Sequence, residues 1–154
     1  MVLEMNLLFP QCVQAQIELE RIADVKYQIM TPQSSAPIIA IKEDALVGSF
    51  NMTENNLTLD WRTAMNILSA TILNNYSVLS KDKTYSGKEV YSTIIPKKIN
   101  MFKGDATNTI ISIKNGEIGD GRVVDAVIGA KKKNNLIQLV LDEYGVQAAV
   151  PLLD

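Results

Sequence analysis

The residue types that perform most enzymatic chemistry are scarce in this chain of 154 residues. It contains no histidine and a single cysteine, Cys12. These counts exclude serine–histidine–aspartate and cysteine–histidine catalysis, and also metal sites built from imidazoles or from several thiolates. The sequence also lacks a phosphate-binding loop motif, a dinucleotide-binding glycine motif and a hydrolase nucleophile elbow. Any chemistry performed by the chain itself would need carboxylates, lysines or hydroxyls.

One pair of carboxylates is notable for its position. Glu43 and Asp44 lie shortly after the apolar run 38–41 and are the only acidic pair beside such a run. They could lie at the rim of a cleft, and a small carboxylate-dependent hydrolase is one hypothesis for them. Neighbouring residues of a strand point to opposite faces, however, which does not favour a shared metal ion. A solvated Glu43 and a turn-stabilising Asp44 are the alternatives.

Lysines form the second group that could act chemically. Lys131, Lys132 and Lys133 lie just before the predicted start of a helix, where they could contact phosphate. From the residues alone, a solvated loop is the favoured alternative. A wider basic flank spans residues 81–103, with six lysines against two acidic residues, and its simplest interpretation is a solvated rim. The net charge of −2 means that bulk electrostatics do not attract nucleic acid.

The composition is that of a globular protein with a packed core. Apolar residues make up 47% of the chain, and the length fits one domain or two small ones. No apolar run approaches the ~20 residues that cross a bilayer, and the first residues lack the features of a signal peptide. A lone cysteine indicates a reducing compartment. We therefore expect an intracellular protein without a membrane segment.

Hydrophobic periodicity predicts an α+β fold, with short helices, a small and mainly antiparallel sheet, and a closing C-terminal helix. Residues 1–80 are predicted to form a helix-containing half, and residues 81–154 the sheet plus the closing helix. Helices are predicted over residues 12–22, from the Asp60 N-cap through Trp61 to about 74–75, and from an Asn134 or Asn135 N-cap to Gly145. Strands are predicted at 27–30, 38–41, 89–95, 109–114 and 122–128, with Asn115-Gly116 as a type I′ hairpin turn.

Both ends of the chain are predicted to expose apolar side chains. These are residues 5–9 and residues 146–153. The tail 146–154 ends without a polar run, which is typical of a cut through a longer protein. One hypothesis for the function is therefore a free-standing interaction domain that binds another protein through this tail.

About ten short motifs follow one another in an order found in one protein family. They are Glu4-Met5-Asn6-Leu7-Leu8-Phe9-Pro10-Gln11, Thr31-Pro32-Gln33, Pro37-Ile38-Ile39, Asp44-Ala45-Leu46-Val47-Gly48, Ser86-Gly87-Lys88-Glu89, Ile95-Pro96, Asn115-Gly116-Glu117, Gly121, Gly129, Leu136-Ile137 and Glu143-Tyr144-Gly145. With them the chain resembles the pore domain, the third domain, of the largest subunit of multisubunit DNA-directed RNA polymerases. The resemblance covers nearly the whole chain, so residues 1–154 would be a single pore-domain-like fragment. It is strongest to the eukaryotic, archaeal and large-DNA-virus enzymes, and the divergence favours a virus.

The resemblance implies a role in transcription. In this family the pore domain forms part of the wall of the secondary channel, through which nucleotides enter and the 3′ end of a backtracked transcript leaves. Nucleotidyl transfer belongs to the full assembly, and its magnesium ions are held by a loop upstream, so this chain alone would hold no cofactor and be inactive. The implied partners are other polymerase domains and subunits, DNA, RNA, nucleotides and a transcript-cleavage factor. The implied location is the nucleus or, for a virus, the host cytoplasm or virion.

The resemblance also nominates individual residues. Gln33, Glu43 and Asp44 are the candidates for the channel-facing rim, and Lys131, Lys132 and Lys133 are the candidates for contact with phosphate or RNA.

This sequence departs from the family pattern at several positions. Leu3 stands where the last metal-binding aspartate is expected, which suggests an artificial start or a separate reading frame. Leu8 replaces a histidine, and Glu43 replaces a common glutamine. A usual pair of lysines falls on Asp125 and Ala126, and the lysines at 131–133 could compensate for it.

Overall fold

The computed structural model describes residues 6–71, 79–105 and 108–153. Within these ranges the predicted α+β fold is confirmed, and the strand pairs are antiparallel. The α-helices are α1 (Val13–Glu18), α2 (Glu43–Met52), α3 (Trp61–Ser69), α4 (Gly87–Ser92), α5 (Asp125–Ile128), α6 (Leu136–Tyr144) and α7 (Val146–Ala149). The strands are β1 (Met30–Thr31), β2 (Ala36–Pro37), β3 (Thr58–Leu59), β4 (Tyr85–Ser86), β5 (Met101–Asp105), β6 (Asn108–Lys114) and β7 (Glu117–Gly121).

The largest sheet is a three-stranded meander in the order β5-β6-β7. Asn115 and Gly116 join β6 to β7 with φ angles of 52° and 78°, and the flanking residues Lys114 and Glu117 pair with each other. Positive φ at both turn residues is the type I′ geometry, so the predicted hairpin is confirmed. Glycine is needed at 116 for a second reason, because a Cβ there would lie 2.7 Å from the Pro96 carbonyl oxygen.

The main hydrophobic core lies between this sheet and the C-terminal helices. Ile111 and Ile113 of β6 are fully buried, and they share the core with Leu136 and Val140 of α6. The predicted closing helix is therefore present as α6, and its buried residues are Leu136, Ile137 and Val140. The other buried members of this core are Tyr91, Ile95, Ile99, Met101, Ile118, Val123, Val127, Ile128, Ala149 and Leu152.

A second, smaller cluster lies around α3. Ala64 and Leu68 of that helix pack with Tyr85 of β4 and Val90 of α4. The pairing of β3 with β4 joins the chain on both sides of residues 72–78. The cluster therefore connects the two predicted halves of the sequence.

Helix α3 begins as predicted, with Asp60 in the N-cap position and extended backbone angles. Hydrogen bonding from the Thr63 side chain lowers the pKa of the Asp60 carboxyl. The described helix ends at Ser69. Its predicted end at Asn74-Asn75 lies outside the described residues.

The prediction of a strand at 89–95 is wrong, because α4 occupies residues 87–92. The Ser86 side chain caps the start of this helix, and the Glu89 carboxylate accepts a hydrogen bond from the Ser86 N–H at 3.0 Å. This reciprocal capping box satisfies two backbone N–H groups at once. It outweighs the β propensity of the branched and aromatic residues that follow.

Three other strand predictions also need correction. The predicted strand at 122–128 contains the short helix α5. The predicted strand at 38–41 is irregular, and the side chain of Ile38 is half exposed; the preceding residues form β2 instead. Residues 25–28 form a 3₁₀ turn, started by an Asp24 carboxylate that accepts the Lys26 N–H, and β1 begins only at Met30.

The two ends of the chain differ from each other. At the N-terminus Leu7, Leu8 and Phe9 are 98%, 85% and 82% exposed, as predicted, whereas Met5 and Leu3 lie outside the described residues. At the C-terminus the prediction of an exposed apolar tail is wrong, because Ala149 and Leu152 are buried in the main core. Helix α7 and the 3₁₀ turn Val150–Leu152 fold back to place them there.

The helix predicted at 12–22 is present as α1 and the π-helical segment Leu19–Ala23. Its apolar side chains do not face the core: Val13, Ile17 and Ile22 are between 52% and 71% exposed. No helix in the described ranges is both long enough and apolar enough to span a membrane.

Candidate phosphate-contact site

Residues 129–135 connect α5 to α6 and are called the lysine loop below. Asn135, fully buried, is the N-cap of α6, and its Oδ1 accepts the Gln138 N–H at 2.8 Å. Its Nδ2 donates to the Gly129 carbonyl oxygen at 3.0 Å. In return the Asn134 N–H donates to the Gln138 Oε1 at 2.9 Å. One asparagine therefore joins the two ends of the loop.

A lysine from the sheet holds the loop from the other side. The Lys103 Nζ, on β5, donates to the carbonyl oxygens of Ala126 at 2.6 Å, Asn134 at 3.3 Å and Lys133 at 3.4 Å. An ammonium group has three N–H donors, so this arrangement uses all of them. Burial lowers the pKa of Lys103, and the charge of nearby Lys132 lowers it further.

The three consecutive lysines of the loop extend into solvent. Lys131, Lys132 and Lys133 are all exposed, and Lys131 has a φ of 60°. The Lys132 Nζ lies 3.1 Å from the Asp125 Oδ2, and this is the ion pair that the loop makes within the described chain. Together with Lys103 and Asp125, the loop carries four positive charges and one negative charge at neutral pH. The locally positive surface contrasts with the net charge of −2.

The rim candidate Gln33 is connected to the lysine loop through the backbone. Gln33 is exposed in the turn between β1 and β2. At the end of that hairpin the Pro37 carbonyl oxygen accepts the Lys131 N–H at 2.8 Å. The hairpin and the lysine loop are therefore neighbours, as the sequence alone could not indicate.

The carboxylates of Glu43 and Asp44 lie on α2 rather than beside a strand. Both are exposed in its first turn, where negative charge is favourable, and Glu43 has a φ of 50°. Among the described residues, neither side chain makes a hydrogen bond or an ion pair. The same part of the chain holds no group of three or more cysteine or acidic side chains arranged for a metal ion.

A cleft of about 650 Å³ lies elsewhere, between the α4 segment and the β6–β7 turn. Its polar lining includes Lys83, Glu89, Lys97 and Glu117. None of the six predicted site residues lines it. The predicted residues therefore belong to exposed surface around the lysine loop and α2.

Residues 28–154 match the family described as RNA polymerase Rpb1, domain 3. The chain belongs to this family. The resemblance inferred from the ordered motifs is thereby confirmed. The matched region of this Rpb1 domain 3 chain starts after α1, so residues 1–27 precede it.

Three curated relatives match almost the whole Rpb1 domain 3 chain. DNA-directed RNA polymerase subunit 1 of Acanthamoeba polyphaga mimivirus is 34% identical over 98% of this chain and 10% of the relative. DNA-directed RNA polymerase subunit Rpo1N of Thermoplasma acidophilum is 27% identical over 98% of this chain and 19% of the relative. Human DNA-directed RNA polymerase III subunit RPC1 is 24% identical over 95% of this chain and 12% of the relative. The chain thus spans between a tenth and a fifth of these relatives.

Sequence reasoning alone does not identify Lys103 and Asp125 as members of the site. Lys103 is one of six lysines in a basic flank, and nothing in its local sequence marks it as the anchor of a loop 30 residues later. Asp125 stands out only as a departure from the family pattern. The strand that carries Lys103, β5, is not among the predicted strands, so no local pattern separates this lysine from the others of the basic flank.

Proposed function

We propose that this chain acts as domain 3 of the largest subunit of a DNA-directed RNA polymerase and forms part of the wall of its pore, the secondary channel. The observation that carries the proposal is the family match over residues 28–154, with 34% identity to a viral polymerase subunit across the chain. Nucleotidyl transfer would be performed by the assembly, with magnesium ions held outside this chain. The contribution of the domain would be to guide nucleotides inward and the 3′ end of backtracked RNA outward.

The exposed N-terminal residues support a place inside a larger assembly. Leu7, Leu8 and Phe9 form a contiguous apolar segment in solvent, and α1 adds Val13 and Ile17. Contiguous apolar surface of this kind marks an interaction site. We propose that other polymerase domains or subunits cover it. The protein would then act where transcription occurs: the nucleus or, for a virus, the host cytoplasm or virion.

Gln33, Glu43 and Asp44 are the proposed channel-facing residues. Each is exposed on a short turn or at a helix start, and polar side chains suit a passage for charged nucleotides. DNA, RNA, nucleotides and a transcript-cleavage factor would be reached only through the assembly.

Photo-crosslinking in the complete polymerase tests this proposal. A photo-reactive amino acid replaces Gln33, and the elongation complex is walked to a position where it backtracks. We expect RNA crosslinks in the backtracked complex and a clear decrease when the 3′ end returns to the active centre. Gln16, an exposed glutamine of α1 outside the family match, is the matched control and should not show this dependence.

Two results would contradict the proposal in different ways. Equal crosslinking from both positions, or none from Gln33, would contradict the proposed place of this domain in the channel wall. If the native chain is purified together with another protein and without polymerase subunits, the role in a polymerase is contradicted. That result would favour a free-standing interaction domain.

A further inference from the structure

We propose that the lysine loop is a binding site for phosphate groups, in which Lys131 and Lys133 contact the phosphate oxygens and Lys103 is a positioning residue. The ligand class is a polyphosphate or a phosphodiester backbone. That the phosphates in the cell belong to a nucleoside triphosphate or to RNA rests on the proposed function. The binding site itself rests on the geometry of the loop.

The first observation is that hydrogen bonds hold the backbone of the loop at several points. Its backbone contains two left-handed residues, Lys131 with a φ of 60° and Asn134 with a φ of 51°. Side-chain hydrogen bonds from Lys103 and Asn135 hold its carbonyl groups, and the Lys131 N–H is bonded to Pro37. A solvated loop needs none of these anchors. A fixed backbone lowers the entropy lost when charged side chains bind a ligand.

The second observation is an excess of positive charge that the described residues do not neutralise. The loop carries three consecutive ammonium groups, and a fourth, that of Lys103, lies beside them. Among the described residues, Asp125 forms an ion pair with one of the four, Lys132. The Lys103 pKa is lowered partly by the charge of Lys132, as expected where lysines repel one another. A bound phosphate would relieve that repulsion, and lysine is a common phosphate ligand.

The third observation concerns Asp125, which acts as a built-in competitor. Its pair with Lys132 is exposed, with side-chain exposures of 54% and 48%, and exposed pairs are weak. The Asp125 Oδ1 also lies against Gly129, at a place that a Cβ on that residue would block. The Asp125 carboxylate therefore offsets part of the positive charge of the loop and repels a phosphate group. Removing the charge of Asp125 should strengthen phosphate binding.

Binding measurements on the 154-residue chain test the site without the polymerase. The probes are inorganic tripolyphosphate and a short single-stranded RNA, titrated while the backbone amide signals of residues 129–135 are followed. The variant K131Q/K133Q should lose at least tenfold in affinity for the tighter probe. The matched control K97Q/K98Q removes two exposed lysines from the basic flank and should stay within twofold. D125N should bind more tightly than the natural chain.

The salt dependence gives a second, independent readout. For single-stranded RNA the slope of log K against log salt is about −0.7 for each phosphate neutralised. K131Q/K133Q should therefore reduce the slope by about 1.4, whereas K97Q/K98Q should leave it unchanged. Equal losses in the two double variants, or no saturable shift at residues 129–135, would overturn the proposal.

Lys103 is tested as a positioning residue by K103Q and K103R. K103Q should lower phosphate affinity while the core signals from β6 and α6 keep their positions, and K103R should restore part of the affinity through its own N–H donors. Unchanged binding in K103Q would remove its positioning role. Tighter binding of tripolyphosphate indicates a nucleoside triphosphate as the natural source, and tighter binding of RNA indicates the transcript.

The binding test and the crosslinking test fail separately. If the Gln33 crosslinks are absent but phosphate still binds, only the proposed role in the channel wall is contradicted. If phosphate does not bind but the Gln33 crosslinks are present, only the proposed phosphate site in the lysine loop is contradicted.

Discussion

The hydroxyl oxygen of Thr53 accepts a hydrogen bond of 3.0 Å from the backbone N–H of Val123, 70 residues later in the sequence. Thr53 directly follows α2, is fully buried, and donates to the Ser49 carbonyl oxygen at 2.9 Å. Val123 is also fully buried and follows β7. One hydroxyl therefore fixes the end of α2 to the end of the three-stranded sheet.

Thr53→Val should destabilise the protein by about 1–3 kcal/mol, because it leaves the buried Val123 N–H without an acceptor. Thr53→Ser keeps the hydroxyl and is the matched control, with a smaller loss from the missing methyl group. Urea denaturation followed by circular dichroism measures both. Equal stability of the valine and serine variants would show that the hydrogen bond contributes nothing.

Substitution by alanine should change the stability of the protein in opposite directions at two glycines. A Cβ at Gly87 would lie 2.0 Å from the Met52 carbonyl oxygen, so Gly87→Ala should force α4 away from α2 and destabilise the protein by at least ~1 kcal/mol. Gly48 lies exposed within α2, and a Cβ added there would meet open space, so Gly48→Ala should stabilise by about 0.5–1 kcal/mol. Thermal unfolding of the two variants measures the contrast, and a shift of the same sign in both would contradict it.

Acidification should remove the stabilising contribution of Asp60. Hydrogen bonding from Thr63 lowers its pKa in the folded state below the ordinary value of 3.8, so the unfolded chain takes up the proton first. The contribution is complete above that ordinary value and is lost as the pH falls through the folded-state pKa.

Asp60→Asn has nearly the same size and still carries a side-chain oxygen, but it has no titratable group, so it serves as the comparison. Urea midpoints measured from about pH 5 to about pH 2 should fall more steeply for the natural chain than for the variant. Parallel curves would mean that the Asp60 pKa is not lowered by folding.

Replacement of Leu7, Leu8 and Phe9 by serine should leave stability unchanged to within ~0.5 kcal/mol, because these side chains are already in solvent. Binding of a hydrophobic dye and self-association at high concentration should both decrease. The single replacement Ile99→Ser, at a fully buried position, should instead cost several kcal/mol. A marked loss of stability in the triple variant would show that the segment packs on the domain.

Local signals predict the elements that local interactions decide. The Asn115-Gly116 turn and the α6 cap depend on residues adjacent in sequence, and both are present. The segment 89–95 has strand-forming residues, yet the Ser86–Glu89 capping box directs it into a helix. The burial of Leu152 depends on the sheet and α6, which no property of the tail itself reveals.

For the candidate site, too, the sequence predicts the local features and not the long-range contacts. Three consecutive lysines are visible in the sequence, whereas their support is not. Lys103 reaches the loop only because β5 lies beside the chain at Ala126, and Pro37 reaches it only because of the β1–β2 hairpin. Contacts between residues far apart in sequence are set by the packing of the whole domain.

Because the C-terminal turn packs into the main core, that core can be completed only late during synthesis on the ribosome. The cluster of Ala64, Leu68, Tyr85 and Val90 is complete once residue 90 has emerged, but the main core still lacks Leu152. At the usual translation speed of about 5–20 residues per second, the next ~60 residues, up to Leu152, take roughly 3–12 seconds. The nascent chain therefore carries an unfinished apolar interior for seconds, during which chaperones have access to it.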